Sequence, residues 1–265
     1  MRRTAYAFGE LFGLLRVLRF LPVRVSYFRK LRPARATSSV TEHVTALRRD
    51  GVVIIPDFLD AETIARMRTA VPDPAEFDES PEGDGALRYP KAAEIEAFAP
   101  FFDEETVPSI VRGYLSRTAE PVRRTVGLKV RTGPIPTFET SYHIDTWKLR
   151  VKAWLYLEDV GPENAPTVYL KGSHRGAWRL LHEARHHDWF RVDEEGFADE
   201  DVLYVGALWP HEVARLRAAY GFEEVVCTGR AGTLLLFDGR GLHHATTLES
   251  GRRLILTSYW VHPDA

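Results

Sequence analysis

From Val122 to Trp260 the chain is a succession of short apolar runs broken by glycine, proline and acidic turn residues. Candidate strands fall at 122–131, 140–146, 149–158, 166–170, 224–228, 232–237, 243–247 and 252–260. Short strands separated by turn signals predict a sandwich or a barrel. A chain of 265 residues with 45% hydrophobic and 27% charged residues is long enough to close such a structure around one core.

The half before it reads as mixed. A helix is expected from Thr41 to Arg49, then a short buried strand in Gly51-Val52-Val53-Ile54-Ile55-Pro56. Asp60 stands as the N-cap of a second helix, with Glu62 in its first turn and Ile64, Met67 and Val71 at helical spacing. Residues 73–90, rich in Pro, Asp, Glu and Gly, read as a loop, and residues 106–118 as another helix. Between His174 and Glu223 a long excursion interrupts the strands, with helices expected around 176–187 and 209–219.

Two stretches carry chemistry. Ser141-Tyr142-His143-Ile144-Asp145 contains H-x-D, and on a strand residues i and i+2 point the same way. About a hundred residues later His243 ends the apolar run Leu234-Leu235-Leu236-Phe237 and its turn. Two imidazoles and one carboxylate on one face of a metal form the set that leaves open positions on non-haem Fe(II) for O₂. His244 must point to the opposite face of the strand and is the weaker ligand candidate. His174 is expected to be a structural hydrogen-bonding group, and His182, His186 and His187 to sit on a solvated helix face. His211 and His262 carry no usable pattern. The single Cys227 excludes an internal disulfide framework and thiolate metal sites, which fits a reducing, cytoplasmic setting. A formal net charge of −2 gives no case for nucleic acid binding.

Charge is unevenly spread. Residues 1–35 hold nine Arg and Lys against the single acid Glu10, and Phe8, Leu11, Phe12, Leu15 and Leu18 form one helical stripe that Pro22 is expected to stop. Two roles compete for this segment: a helix laid on the domain with its stripe buried, or a peripheral membrane contact through a basic amphipathic helix. Glu10 and the lack of a small-x-small site argue against a cleaved secretory signal.

The motifs, taken in order, resemble the phytanoyl-CoA dioxygenase family of Fe(II)/2-oxoglutarate-dependent oxygenases. The resemblance starts in Arg49-Asp50-Gly51-Val52-Val53-Ile54-Ile55-Pro56-Asp57-Phe58-Leu59 and continues through His143-x-Asp145 to Ala153-Trp154-Leu155-Tyr156-Leu157-Glu158-Asp159. It then takes in Glu163-Asn164-Ala165-Pro166, Lys171-Gly172-Ser173-His174-Arg175 and the run from Gly232 to His243. Ala165 stands where the family usually has Gly, and Lys171 where it usually has Pro. The likeness implies a mostly β fold with flanking helices around a double-stranded β-helix, the cupin-like jelly roll. It implies His143, Asp145 and His243 as ligands of Fe(II), with 2-oxoglutarate as cosubstrate and O₂ as oxidant. In the family an arginine about ten residues past the distal histidine binds the far carboxylate of 2-oxoglutarate. Arg252 and Arg253 both stand there, and Arg253 is favoured because it puts Arg253, Ile255, Thr257 and Tyr259 on one face. Trp154 matches a position lining the cosubstrate pocket and could equally be a packed core tryptophan.

The expected organisation is a basic amphipathic segment over residues 1–37 and an oxygenase domain over 38–265, with residues 176–223 as a lid-like insertion. The expected reaction is hydroxylation of a small-molecule or lipid-like substrate with release of succinate and CO₂. The alternative is a non-catalytic metal-binding or sensor module on the same scaffold.

Overall fold

The computed structural model describes residues 21–79, 85–130, 140–176 and 207–263, together with Leu15, Leu18, Arg19, Trp178 and Arg179. Helix α1 (Leu21–Lys30) precedes α2 (Thr41–Asp50), strand β1 (Val52–Ile55) and α3 (Ala61–Thr69). The antiparallel pair β2 (Asp78–Glu79) and β3 (Ala86–Tyr89) follows, then α4 (Thr106–Tyr114). The remaining strands are β4 (Glu120–Lys129), β5 (Arg150–Tyr156), β6 (Thr167–Lys171), β7 (Glu223–Cys227), β8 (Leu234–Asp238), β9 (His243–Ala245) and β10 (Arg253–Val261), with helix α5 (Pro210–Tyr220) ahead of β7.

These strands form a seven-stranded sheet in the order β1-β8-β5-β10-β4-β3-β2 and a three-stranded sheet in the order β7-β6-β9. Their pairings are antiparallel. The result is a jelly roll with helices packed on its larger sheet.

Period-2 alternation divides the central strands between two interiors. Val151, Ala153 and Leu155 of β5, Leu234 and Leu236 of β8, and Leu254 and Leu256 of β10 bury against Val44, Leu47, Ile64, Met67, Ile110 and Val111 of the helices. Cutting one of these leucines to Ala would cost about 2–5 kcal/mol. The opposite phase faces the space between the sheets, where Val52, Tyr156, Leu235, Phe237 and Ile255 meet Tyr169 and Cys227 of the smaller sheet. Ile144, Leu170, Leu208, Val213, Phe222 and Leu242 seal the outer face of that sheet under α5.

Local signals explain the element ends. Asp60 caps α3 by accepting from Thr63 N at 2.7 Å. Gly51 ends α2 in the left-handed region (φ 80°), donating to Leu47 O at 2.9 Å, a conformation glycine takes without penalty.

The chain departs from the sequence reading in several places. Val71 lies beyond the end of α3, and α4 stops at Tyr114, where Arg117 N turns away to Arg32 O. Within the expected loop 73–90, β3 pairs with β4 and Tyr89 packs on Phe77 with ring centroids 5.7 Å apart, so a polar-looking segment extends the sheet. Residues 140–146 form no full strand; only Tyr142 and His143 make isolated bridges. Pro22 does not stop the helix: Leu15, Leu18 and Arg19 ahead of it are helical, as are Leu21–Lys30 around and after it. The expected helix 176–187 lies outside the described residues beyond Arg179.

At the N-terminus, Tyr27 anchors α1: its hydroxyl donates to Leu149 O at 3.4 Å and accepts from Leu149 N at 3.1 Å. Leu15 and Leu18 of the expected buried stripe are 55% and 50% exposed, and Phe8, Leu11 and Phe12 lie outside the described residues. No described helix is long and apolar enough to cross a membrane.

Candidate metal centre

The two histidines are brought together by backbone pairing. His143 N donates to His243 O, and His243 N to His143 O, both at 3.0 Å. Residues paired this way project side chains to the same face, and the two rings lie 4.4 Å apart. Asp145 joins them because its N donates to Gly239 O at 2.8 Å, across the turn that follows β8. One ligand atom from each of His143, Asp145 and His243 falls within 4.8 Å of the others. His244 takes the opposite phase and packs against Tyr142, ring centroids 4.4 Å apart.

The tautomers are set from behind. Nδ1 of His143 lies 2.8 Å from Ser141 O, and Nδ1 of His243 lies 2.9 Å from Gly241 O. A carbonyl only accepts, so each Nδ1 carries the proton and each Nε2 keeps a lone pair. Burial, then repulsion from His243, pushes the His143 imidazole well below its ordinary value, so it stays neutral and ligand-ready. His243 Nε2 and Asp145 Oδ2 are buried atoms without a hydrogen-bond partner, which suits a cation between them. Two neutral imidazoles and a carboxylate fit a divalent first-row metal such as Fe(II).

One residue at this centre escaped the sequence reading. Lys152, buried, places Nζ 2.9 Å from Asp145 Oδ1 and 5.5 and 5.2 Å from the rings of Phe237 and Tyr259. Burial alone would raise the Asp145 carboxyl, but the ammonium and the imidazoles outweigh it and hold it well below the usual carboxylate range. The signal was present as a lone lysine in the apolar run Leu149–Leu157, on the same phase as Trp154.

The supporting loops are tightly fixed. Ser173 Oγ donates to Leu170 O at 2.6 Å and accepts from Leu242 N at 2.8 Å, so the Gly-Ser-His element pins the residue before His243. His174 is structural, as expected: buried, its Nε2 lies 3.2 Å from Arg48 O, and burial pushes its pKa down to about 4. The buried Asp238–Arg240 pair, at 2.7 Å, also takes the Tyr114 hydroxyl at 2.6 Å and ties α4 to the same turn. A β-carbon built on Gly239 would overlap Asp145 Oδ2, and one on Gly241 would overlap the Tyr169 hydroxyl.

Further into the roll lies a second polar region. Arg253 faces inward and is 7% exposed, its guanidinium carbon 5.3 Å from the Trp154 ring centroid. Its Nη1 donates to Ala165 O. Arg252 points out and pairs with Glu158. Trp154 Nε1 and Thr167 Oγ1 are buried without a hydrogen-bond partner, on strand phases that face the same inter-sheet space. Ala165 adopts φ 55°, which accounts for the usual preference for glycine at that turn position. Within the lid-like insertion 176–223, Trp178 is buried and Trp209 is 60% exposed, while Trp189, Phe190, Phe197 and Tyr204 lie outside the described residues.

The jelly roll thus gathers His-x-Asp and a distal His into one candidate metal site, with a buried arginine facing the same inter-sheet space. Residues 134–254, which include every residue of that candidate site, match the family model for phytanoyl-CoA dioxygenase (PhyH). Among solved structures it is similar to the epimerase SnoN in complex with Fe3+, α-ketoglutarate and nogalamycin RO: 17% identity over 84% of each chain, TM-score 0.58. It is similar to HygX from Streptomyces hygroscopicus with nickel and 2-oxoglutarate bound: 17% identity, 84% of this chain and 87% of that one, TM-score 0.56. It is also similar to EctD from S. alaskensis with 2-oxoglutarate and 5-hydroxyectoine: 18% identity, 89% of this chain and 84% of that one, TM-score 0.58. No curated protein sequence matches the chain.

Proposed function

We propose that the protein is an Fe(II)- and 2-oxoglutarate-dependent dioxygenase that hydroxylates a small molecule, releasing succinate and CO₂. The observation that carries this reading is the convergence of His143, Asp145 and His243 in the same inter-sheet space as the buried Arg253. His143 and His243 would bind Fe(II) through Nε2, and Asp145 through its carboxylate. Bound iron would supply O₂ activation coupled to oxidative decarboxylation of the cosubstrate. Arg253 would take the far carboxylate of 2-oxoglutarate by its planar fork, with Trp154 as the wall of that pocket. Phe237, Ile255, Tyr156 and Val52 keep the space between the sheets apolar and exclude water from it. Lys152 holds the free rotation of the Asp145 carboxylate in check through Oδ1.

Two of the neighbours named above are solved with nogalamycin RO and with 5-hydroxyectoine, which supports a small-molecule substrate here as well. The deciding experiment supplies purified protein with Fe(II), 2-oxoglutarate and O₂ and measures succinate. Slow succinate release without substrate, lost in His143→Ala, is the expected result. Iron binding with no succinate would replace the enzyme by a metal-binding or sensor module.

We also propose peripheral membrane contact through residues 1–35. The exposure of Leu15, Leu18 and Val23 beside a strongly basic composition supports it. Full-length protein should then sediment with anionic liposomes at low salt, and a truncation starting at Ser38 should not.

A further inference from the structure

Two adjacent arginine pairs stand on neighbouring strands, Arg252-Arg253 at the start of β10 and Arg123-Arg124 in β4. Strand alternation splits the second pair as it splits the first. Arg124 turns to the helical layer, 3.5 Å from Asp103 and with its guanidinium carbon 5.5 Å from the Phe102 ring centroid. Arg123 takes the other phase. It stands opposite Tyr259 of β10, and Tyr259 stands opposite Lys152 of β5, so the three share the face that looks into the space between the sheets.

This row ends at the candidate metal site. The Arg123 guanidinium carbon lies 5.1 Å from the Tyr259 ring centroid, and the Lys152 ammonium lies 5.2 Å from the same ring. That ammonium reaches Asp145 at 2.9 Å. Arg123 is exposed and Tyr259 half-buried, so the row leads from solvent to the candidate ligand. Stacking holds a guanidinium by its face and leaves its N–H edges for a partner. Two residues ahead of Lys152, Arg150 has the same phase on β5, and its Nε is buried without a hydrogen-bond partner. An orphaned buried donor calls for an acceptor, and two guanidiniums at one end of the sheet draw anions. Arg253 marks a separate position. Tyr259 lies six residues further along β10, about 20 Å of strand rise, and the Arg253 guanidinium stacks on Trp154 instead.

We infer that Arg123 and Arg150 hold the acidic group of the substrate, a carboxylate or a phosphate ester, at the mouth of the site. That the anion belongs to a substrate rests on the oxygenase reading; its binding does not. The Arg123 fork, kept in place by the Tyr259 ring, selects acidic over neutral molecules by bidentate, charge-assisted hydrogen bonds.

Full-length protein is titrated calorimetrically with inorganic phosphate and, separately, with benzoate, each with and without Ni(II) and 2-oxoglutarate. Saturable binding of at least one anion under both conditions is expected, and the preferred anion identifies the acid class. Arg123→Gln and Arg150→Gln should each bind it about tenfold or more weakly, as expected for loss of charged hydrogen bonds, with unchanged unfolding midpoints. Arg123→Lys, which keeps the charge and loses the fork, should fall between. Arg252→Gln, at the other end of β10, should bind as wild type does. Should the half-buried Arg150→Gln fail to fold, the exposed Arg123→Gln alone decides. No saturable binding of either anion, equal binding by wild type and the Gln variants, or an equal loss in Arg252→Gln would overturn the inference. So would loss of the anion when 2-oxoglutarate is added, since that would place it at Arg253. Succinate release without substrate reports on the oxygenase reading alone, so the two can fail separately.

Discussion

The Lys152 ammonium sits 2.9 Å from the Asp145 carboxylate, a buried ion pair built onto a candidate metal ligand. A carboxylate at this depth needs a positive partner whether or not a metal is bound. Lys152→Met should therefore destabilise the metal-free protein by about 3–5 kcal/mol, the usual result of stranding one member of a buried pair. A divalent ion supplies the missing charge, so added Ni(II) or Co(II) should recover more stability in the variant than in wild type. Lys152→Arg should fall between the two. Denaturant midpoints with and without metal check this, and an unaffected metal-free midpoint in Lys152→Met would refute it.

Replacement of His143, Asp145 or His243 by Ala should abolish succinate formation and weaken metal binding by orders of magnitude. His244→Ala should do far less, because its ring packs on Tyr142 on the other face of the strand. Titration with Co(II) tests the contrast, and equal losses at His243 and His244 would refute it.

Arg253→Ala should leave metal binding nearly intact and raise the KM for 2-oxoglutarate by two to three orders of magnitude, the equivalent of about 3–5 kcal/mol for an unpartnered buried carboxylate. Arg252→Ala should change KM little, since its partner is the surface residue Glu158. Steady-state kinetics of both variants separates them, and the reverse pattern would contradict the inward assignment of Arg253.

Acid should loosen the fold through His174. Burial lowers its pKa from 6.5 to about 4, so between these values the unfolded chain binds the extra proton and the folded one does not. This contribution is intact above the unfolded pKa and drains away as pH falls toward the folded one. The full loss is about 3 kcal/mol. His143 acts in the same direction in metal-free protein. Unfolding midpoints from pH 7 to pH 4 should fall less steeply in His174→Gln than in wild type; parallel curves would argue against it.

Much of this site could be read from strand alternation. Period 2 separates His243 from His244 and Arg253 from Arg252, and each choice depends only on which neighbours share a face. The H-x-D pair was legible for a different reason from the one supposed. Residues 140–146 make no strand, and the pair is held instead by the His143–His243 bridge and the Gly239 carbonyl. Contacts of that kind join residues roughly a hundred positions apart, and no local pattern announces them. Lys152 was missed because a lysine in a strand normally faces solvent, and only its burial beside Asp145 shows that this one does not. The β2–β3 pair stayed hidden because edge strands need little apolar character.

Gly239 places a further demand on the chain. A side chain there would overlap the Asp145 carboxylate, although Gly239 touches Asp145 only through its backbone. Even a methyl group would have to push the carboxylate aside, while the buried strands on either side stay as they are. Sequence drift thus has a short route to a pseudoenzyme: a well-folded relative that keeps all three candidate ligands and has lost the room for one of them to work. Counting ligands would class such a relative as active, whereas the identity of the residue after the last aspartate of β8 would not.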